Sequence, residues 1–242
     1  MKVDYNRIAS EYSRYRKVHP RVLAELIRLS AVGKNSRVLE VGCGTGNYAV
    51  ALGALAGCKL WAIDISDEML SRAKHRSAGI TFMLGRAEKL DFPPVFFDLI
   101  FSVDVIHHLS SQTDFFTEAY RVLSTGGKIC TVTDSEWIIR HREPLVVYFP
   151  ETVDIELKRY PRMEDLRRTM VQVGFRDIKE IRVEFSYELH DAQAYRDKAF
   201  SSLHLIPKAA FDRGIERMER DLKRGPIRCL SRYALLWGTK PT

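Results

Sequence analysis

The sequence predicts a doubly wound α/β fold: a mainly parallel sheet of seven strands with helices on both faces. Three observations point to it. Short β-rich runs alternate with helix-like stretches from residue 37 to about 135, the signature of βαβ units. The runs are almost continuously apolar, as strands covered on both faces must be. The first run passes directly into three alternating glycines and then a helix, in Glu40-Val41-Gly42-Cys43-Gly44-Thr45-Gly46-Asn47. In a doubly wound sheet such a turn lies at the carboxyl edge, where ligands bind.

The elements follow in order. Arg37 to Val41 is the first strand, and Asn47 to Leu55 is Ala/Leu-rich and helical. Leu60 to Ile63 is the second strand. Ser66 is a suitable N-cap for a helix running to about Ser77, with Asp67 and Glu68 in its first turn, where acids suit the helix dipole. Ile80 to Leu84 and Asp98 to Val103 are the third and fourth strands. A helix from Phe115 to Leu123 is expected to stop at Gly126-Gly127, and Lys128 to Val132 is the fifth strand. Beyond Thr133 the pattern breaks, and residues 137 to 165 hold three prolines with no clear period. Met163 to Val173 is helical and ends at Gly174. Ile178 to Phe185 alternates apolar and polar residues, a strand with one exposed face. A helical insertion over about 191 to 224 and a last strand, Tyr233 to Trp237, complete the chain. The expected organisation is a helical lid at 1–30 and one domain at 31–242, with 137–165 and 187–228 as insertions covering the substrate.

The 242 residues are enough for one such domain. No apolar run approaches the roughly 20 residues needed to span a bilayer. Met1-Lys2-Val3-Asp4-Tyr5 lacks the apolar core of a signal peptide. Cys43, Cys58, Cys130 and Cys229 include no Cys-x-x-Cys pair, so no zinc site is expected, and free thiols suit a reducing compartment. The expected location is the cytoplasm. The net charge of +7 has two readings: a solvated surface rich in Lys and Arg, or an acidic partner such as an anionic metabolite or RNA. Acids interleave with the bases near the C-terminus, as in a salt-bridged helix rather than a nucleic-acid arm.

Glycine permits positive φ and lets a ligand approach the backbone closely. Asp64 ends the second strand about 18 residues past the turn, where an acid can bind both hydroxyls of a ribose. Gly44-x-Gly46-x-x-Ala49 fits a loose dinucleotide fingerprint, but the turn begins at Gly42, and read from there position 47 is Asn. A pyrophosphate would also be repelled by Glu40, which suits a ligand with a cationic group. An oxidoreductase is therefore disfavoured.

Five segments in order carry a resemblance to class I S-adenosylmethionine-dependent methyltransferases, closest to the ubiquinone/menaquinone-biosynthesis-like branch. They are Val38 to Gly46, Ala62 to Ser66, Gly85 to Pro93, Phe97 to Leu109, and Glu118 to Leu123 with Gly126-Gly127-Lys128. Ser124-Thr125 departs from the basic residue and proline usual before the glycine pair. The resemblance spans roughly residues 5 to 135. It implies a Rossmann-like sheet whose last strand is antiparallel and S-adenosyl-L-methionine as cofactor, with S-adenosyl-L-homocysteine as product. It implies no metal. The loop Gly42, Cys43, Gly44 and Gly46 would wrap the methionine and ribose, with Glu40 ordering it or meeting the methionine amino group. Asp64 would bind the ribose, and Ile65 and Met69 would pack on the adenine. Ala87 and Glu88 would line the adenine edge, and Val103 and Asp104 would flank the sulfonium. Tyr12 and Arg16 would belong to a lid near the cofactor carboxylate, or to an amphipathic helix that simply packs.

Methyl transfer from a sulfonium is an in-line displacement in which alignment dominates. A base is needed only where the nucleophile must lose a proton. His107, His108 and Asp104 are the candidates; a packing role for the two histidines is the competing reading. Trp137, His141, Tyr148, Tyr195, Phe200 and His204 are candidate substrate-lining residues. The expected function is methyl transfer to a small-molecule acceptor. An RNA (tRNA) methyltransferase and a non-catalytic cofactor-binding protein are the alternatives.

Overall fold

The computed structural model describes residues 14–242. Tyr5, Ile8 and Tyr12 of the expected lid lie outside the described residues. Helix α1 (Pro20–Ser30) begins with proline at its first position, and the His19 imidazole accepts from the Val22 amide. The sheet strands are β1 (Arg37–Val41), β2 (Lys59–Asp64), β3 (Ile80–Leu84), β4 (Phe97–Val103), β5 (Leu123–Thr133), β6 (Arg176–Leu189) and β7 (Ile227–Thr239). Between them run α2 (Asn47–Ala56), α3 (Asp67–Lys74) and α4 (Gln112–Val122). The second half adds α5 (Glu136–Arg140), α6 (Leu145–Tyr148), α7 (Thr152–Arg159), α8 (Met163–Val173), α9 (Gln193–Arg196) and α10 (Lys208–Leu222).

The seven strands pair in the order β3-β2-β1-β4-β5-β7-β6. The chain winds outward from β1 to β3, then returns to lay β4 against the other side of β1. That reversal opens a crevice at the carboxyl ends of β1 and β4, the place where such sheets bind ligands. β7 runs antiparallel to both β5 and β6, as expected. Alternate residues of β1 feed opposite cores: Leu39 and Val41 pack with α4 and α8, whereas Val38 packs with α1 and α2. This two-sided burial explains the apolar runs.

The structure moves several of the expected boundaries. The helix after β2 ends at Lys74, short of Ser77. The helix after β4 begins at Gln112 and ends at Val122, where Leu123 turns extended and pairs with Phe97. Gly126-Gly127 therefore lies within β5 rather than capping a helix; a Cβ on Gly127 would fall 2.7 Å from the Ser124 carbonyl. Residues 137 to 165, without visible period, contain three short helices, too brief to show one. Within Pro20–Ser30, Val22 and Leu26 are wholly buried beside the sheet. The two insertions share a third core of their own, with Tyr148, Phe149, Tyr195, Leu203 and Met218 among its members.

Candidate active site

The glycine turn supplies the floor of the crevice. Gly42, Gly44 and Gly46 adopt φ of +71°, +53° and +76°, a region other residues enter at a cost. The amides of Gly42 and Cys43 both donate to the Ile63 carbonyl, at 2.8 and 2.9 Å, which ties the turn to β2. A Cβ on Gly42 would also strike Val105 at 2.4 Å. Asp64, at the tip of β2, accepts from the Gly44 amide at 2.7 Å with one oxygen and from the Ser66 amide at 3.0 Å with the other. Burial raises its pKa while these backbone donors oppose the rise. Ser66 caps α3 by accepting from Met69.

Glu40 is 2% exposed. Burial pushes its pKa to about 8, against a backbone hydrogen bond from Ala49. Its Oε2 has no partner among the described residues, and a buried acceptor without a donor is costly unless a ligand completes it. Asp104 directly follows β4 at φ +58°, and a non-glycine residue held there marks a site where the surroundings impose the conformation. Its Oδ2 accepts from Arg16 at 3.0 Å and from the Tyr233 hydroxyl at 2.9 Å.

Most of the residues expected to touch a cofactor surround one crevice. Gly42, Gly44, Asp64, Ile65, Met69, Ala87, Glu88, Val103 and Asp104 all line it. Ile65 stands on its rim, 72% exposed, a surface that a flat ring would cover. Glu88 is held by the Ser110 amide and hydroxyl, at 2.9 and 2.7 Å; burial raises its pKa, but these bonds outweigh that and leave it below the ordinary value. Four expected residues among the described ones do not line the crevice: Arg16 lines the neighbouring space, Glu40 is buried behind the turn, and Cys43 and Gly46 face inward. Cys43 points into the core, where burial holds its thiol protonated. Gly46 is required by packing, since a Cβ there would meet Phe82 at 3.0 Å.

The family model described as a methyltransferase domain matches residues 39–131, the stretch that builds this crevice. Residues 39–131 thus carry a methyltransferase domain. The chain is similar to a sterol 24-C-methyltransferase of Pneumocystis carinii, 25% identical over 60% of this chain and 41% of the relative. It is also similar to a malonyl-[acyl-carrier protein] O-methyltransferase of Hamiltonella defensa, 27% identical over 73% of this chain and 72% of the relative. The chain thus spans about two fifths of the sterol relative's length. The fold matches a protein assigned as a methyltransferase of an antibiotic biosynthesis pathway from Anabaena variabilis, with a TM-score of 0.71. That pair is 22% identical, covering 93% of this chain and 98% of the other.

A second chamber opens beyond Asp104. Asp104 and His108 line both spaces, and His107 and Arg16 line the chamber. His107 stacks on Tyr160 with centroids 3.9 Å apart and planes at 17°. Burial, then His108 and nearby arginines, keep its imidazole well below the usual pKa. Of the expected substrate-lining residues, Tyr195 and Phe200 reach this chamber. The other four do not. Trp137 and His141 stack on each other at the surface. Tyr148 packs in the insertion core and donates to Asp221. His204 is exposed, beside the Lys198 carbonyl.

Sequence reasoning missed the ion-pair wall of the chamber. Arg142 pairs with buried Asp134 and, at 3.2 Å, with buried Glu156, which also holds Arg159 at 2.5 Å. Tyr160 and Tyr233 complete this side. One signal was available: Asp134 directly follows β5, as Asp104 follows β4 and Asp64 ends β2, and acids at the carboxyl ends of sheet strands face the ligand side.

Proposed function

We propose that the protein transfers a methyl group from S-adenosylmethionine to a small-molecule acceptor held in the second chamber. The observation that carries this is the junction: a crevice with a glycine turn and a strand-ending acid meets a second, polar space at Asp104 and His108. The crevice residues fit the cofactor. The unpartnered Oε2 of Glu40 is a buried acceptor for a cationic group, and Asp64 stands where a ribose would lie. Met69 and Ile65 offer apolar surface to the adenine, and Ala87 and Glu88 its polar edge. When bound, the sulfonium supplies an already activated methyl group.

The chain's own contribution is then alignment and exclusion of water. Arg16 fixes the Asp104 carboxylate from one side and Tyr233 from the other, so the boundary between the two spaces is rigid. Tyr15 donates to Asp197, joining the segment that carries Arg16 to the insertion region. Relatives carry names that imply carbon and oxygen acceptors, so the acceptor must be argued from the chamber itself. A second space lined by buried ion pairs beside the cofactor crevice favours catalysis on a small molecule over mere cofactor binding. No helix among the described residues is long and apolar enough to cross a membrane. The four thiols are free, and we assign the protein to the cytoplasm.

The test is calorimetric. Asp64→Ala is expected to weaken S-adenosylmethionine binding more than tenfold, about 1.4 kcal/mol or more. Unchanged affinity would remove Asp64 from the ribose contact.

A further inference from the structure

We propose that the acceptor is a small, polar, uncharged amine, and that His107 accepts a hydrogen bond from its N–H and so turns the nitrogen lone pair toward the methyl donor. This rests on the methyltransferase reading above.

The chamber is built for hydrogen bonding. Among its described lining residues only Pro144, Leu145 and Phe200 are purely hydrocarbon, little apolar surface for a sterol or a prenyl chain. Each of its arginines already has a carboxylate. Arg16 holds Asp104, Arg142 holds Asp134 and Glu156, and Arg232 holds Glu184 at 3.2 Å with Glu143 at 3.9 Å. The acids balance the bases, so an anionic acceptor would find its charge opposed by neighbouring carboxylates as much as favoured by arginine.

The same pairing removes the bases. Asp104 already accepts from two donors, and Asp134 and Glu156 are buried in ion pairs. His107 remains. Tyr160 covers one face of its ring and His108 lies 3.9 Å away, tilted. Arg159 from α7, Arg142 from the loop after α5, and Arg16 from the N-terminal segment all act on it to disfavour the imidazolium. A group so surrounded is neutral across the physiological range and holds a transferred proton poorly. It can still accept a hydrogen bond, and its Nδ1 is buried with no partner among the described residues.

An alcohol or phenol of ordinary acidity needs a base during transfer. A neutral amine does not. Its lone pair forms the N–C bond as the C–S bond breaks, and the departing electron pair stays on sulfur, giving a neutral thioether. The positive charge moves from sulfur to nitrogen, and the new ammonium gives its proton to water after release.

The experiment offers labelled S-adenosylmethionine with a defined set of acceptors. These are ethanolamine, histamine and tyramine, each beside its analogue with hydroxyl in place of the amine, and zymosterol. Label on nitrogen of at least one amine, with none on the alcohol analogues or the sterol, is expected. Label on an alcohol or sterol, or on none of the set, overturns the inference. His107→Asn places an amide oxygen near the position of Nδ1 and is expected to keep kcat within about 3-fold, while His107→Leu loses about 100-fold. Calorimetry of the same amine on the S-adenosylhomocysteine-loaded protein should show binding weakened in His107→Leu and kept in His107→Asn. The rise of kcat/KM with pH through the amine's own pKa should be unchanged in His107→Asn. Equal loss in both variants, or a shifted profile in His107→Asn, contradicts the assigned role. Cofactor titration separates the two readings: no S-adenosylmethionine binding sinks the methyltransferase assignment, whereas binding without amine methylation sinks this inference alone.

Discussion

The cofactor crevice and the chamber beyond Asp104 are assembled by opposite means. The crevice is made of backbone: three positive-φ glycines, two amides on one Ile63 carbonyl, and a carboxylate that returns to the Gly44 amide. Its parts lie mostly within residues 40 to 110, at the ends of β1, β2 and β4. The chamber is made of side chains drawn from Arg16 to Tyr233, held by ion pairs and stacked rings. Backbone geometry imposes one shape on any sequence that keeps the glycines. A side-chain chamber changes with each residue that lines it. A family with one cofactor and many acceptors is the expected outcome of that division.

The largest expected effect lies in the chamber. Arg142→Leu leaves Asp134 and Glu156 buried without their shared cation, and should cost about 3–5 kcal/mol of stability in denaturant unfolding. A cost near that of a surface substitution would show the quartet to be decorative. In the crevice, Glu40 is pushed to about 8 in the folded protein. The unfolded value is near the ordinary 4.5, so the folded state binds the proton more tightly. Its stabilising contribution is full below pH 4.5 and is lost as pH rises through 8. Glu40→Gln, which carries no charge to bury, should therefore gain on the wild type between pH 5 and 9 by about 2–4 kcal/mol. A constant difference in melting temperature across that range would mean that the carboxyl is not buried as described.

Smaller effects test the boundary and the rim. Tyr233→Phe removes one of two donors to Asp104 and should cost about 1.5–3 kcal/mol, the range for a hydrogen bond to a charged group. Cofactor affinity should change less than stability, because Arg16 still holds the carboxylate. Ser110→Ala removes the hydroxyl but not the amide from Glu88, and should cost about 0.5–1.5 kcal/mol. A larger loss there would make the rim, not the glycine turn, the organising part of the crevice.

The same contrast decides what could be read in advance. The glycine turn, Asp64 and the Ser66 cap are short-range features whose chemistry is fixed by spacing along one strand–turn–helix unit. The doubly wound class followed, because alternating strand and helix patterns leave few ways to wind a sheet. Arg142, Glu156 and Tyr160 carry no such mark. They sit in a proline-interrupted stretch of short helices, and their partners lie far away in sequence. Aromatic content alone misled for Trp137, which instead lies over Arg182 and Arg232 at the surface. Tyr195 and Phe200 were found by the same reasoning only because they share the inner side of the insertion core. The N-cap role of His19 was equally hidden, since a histidine before proline has no single reading.

The most direct test of the cofactor assignment is a crystal structure of the protein with S-adenosylhomocysteine. The ribose hydroxyls should lie on Asp64, the adenine between Ile65 and Ala87, and the amino group within reach of Glu40. An empty crevice at saturating ligand, or one filled instead by a pyrophosphate-bearing nucleotide, would contradict it.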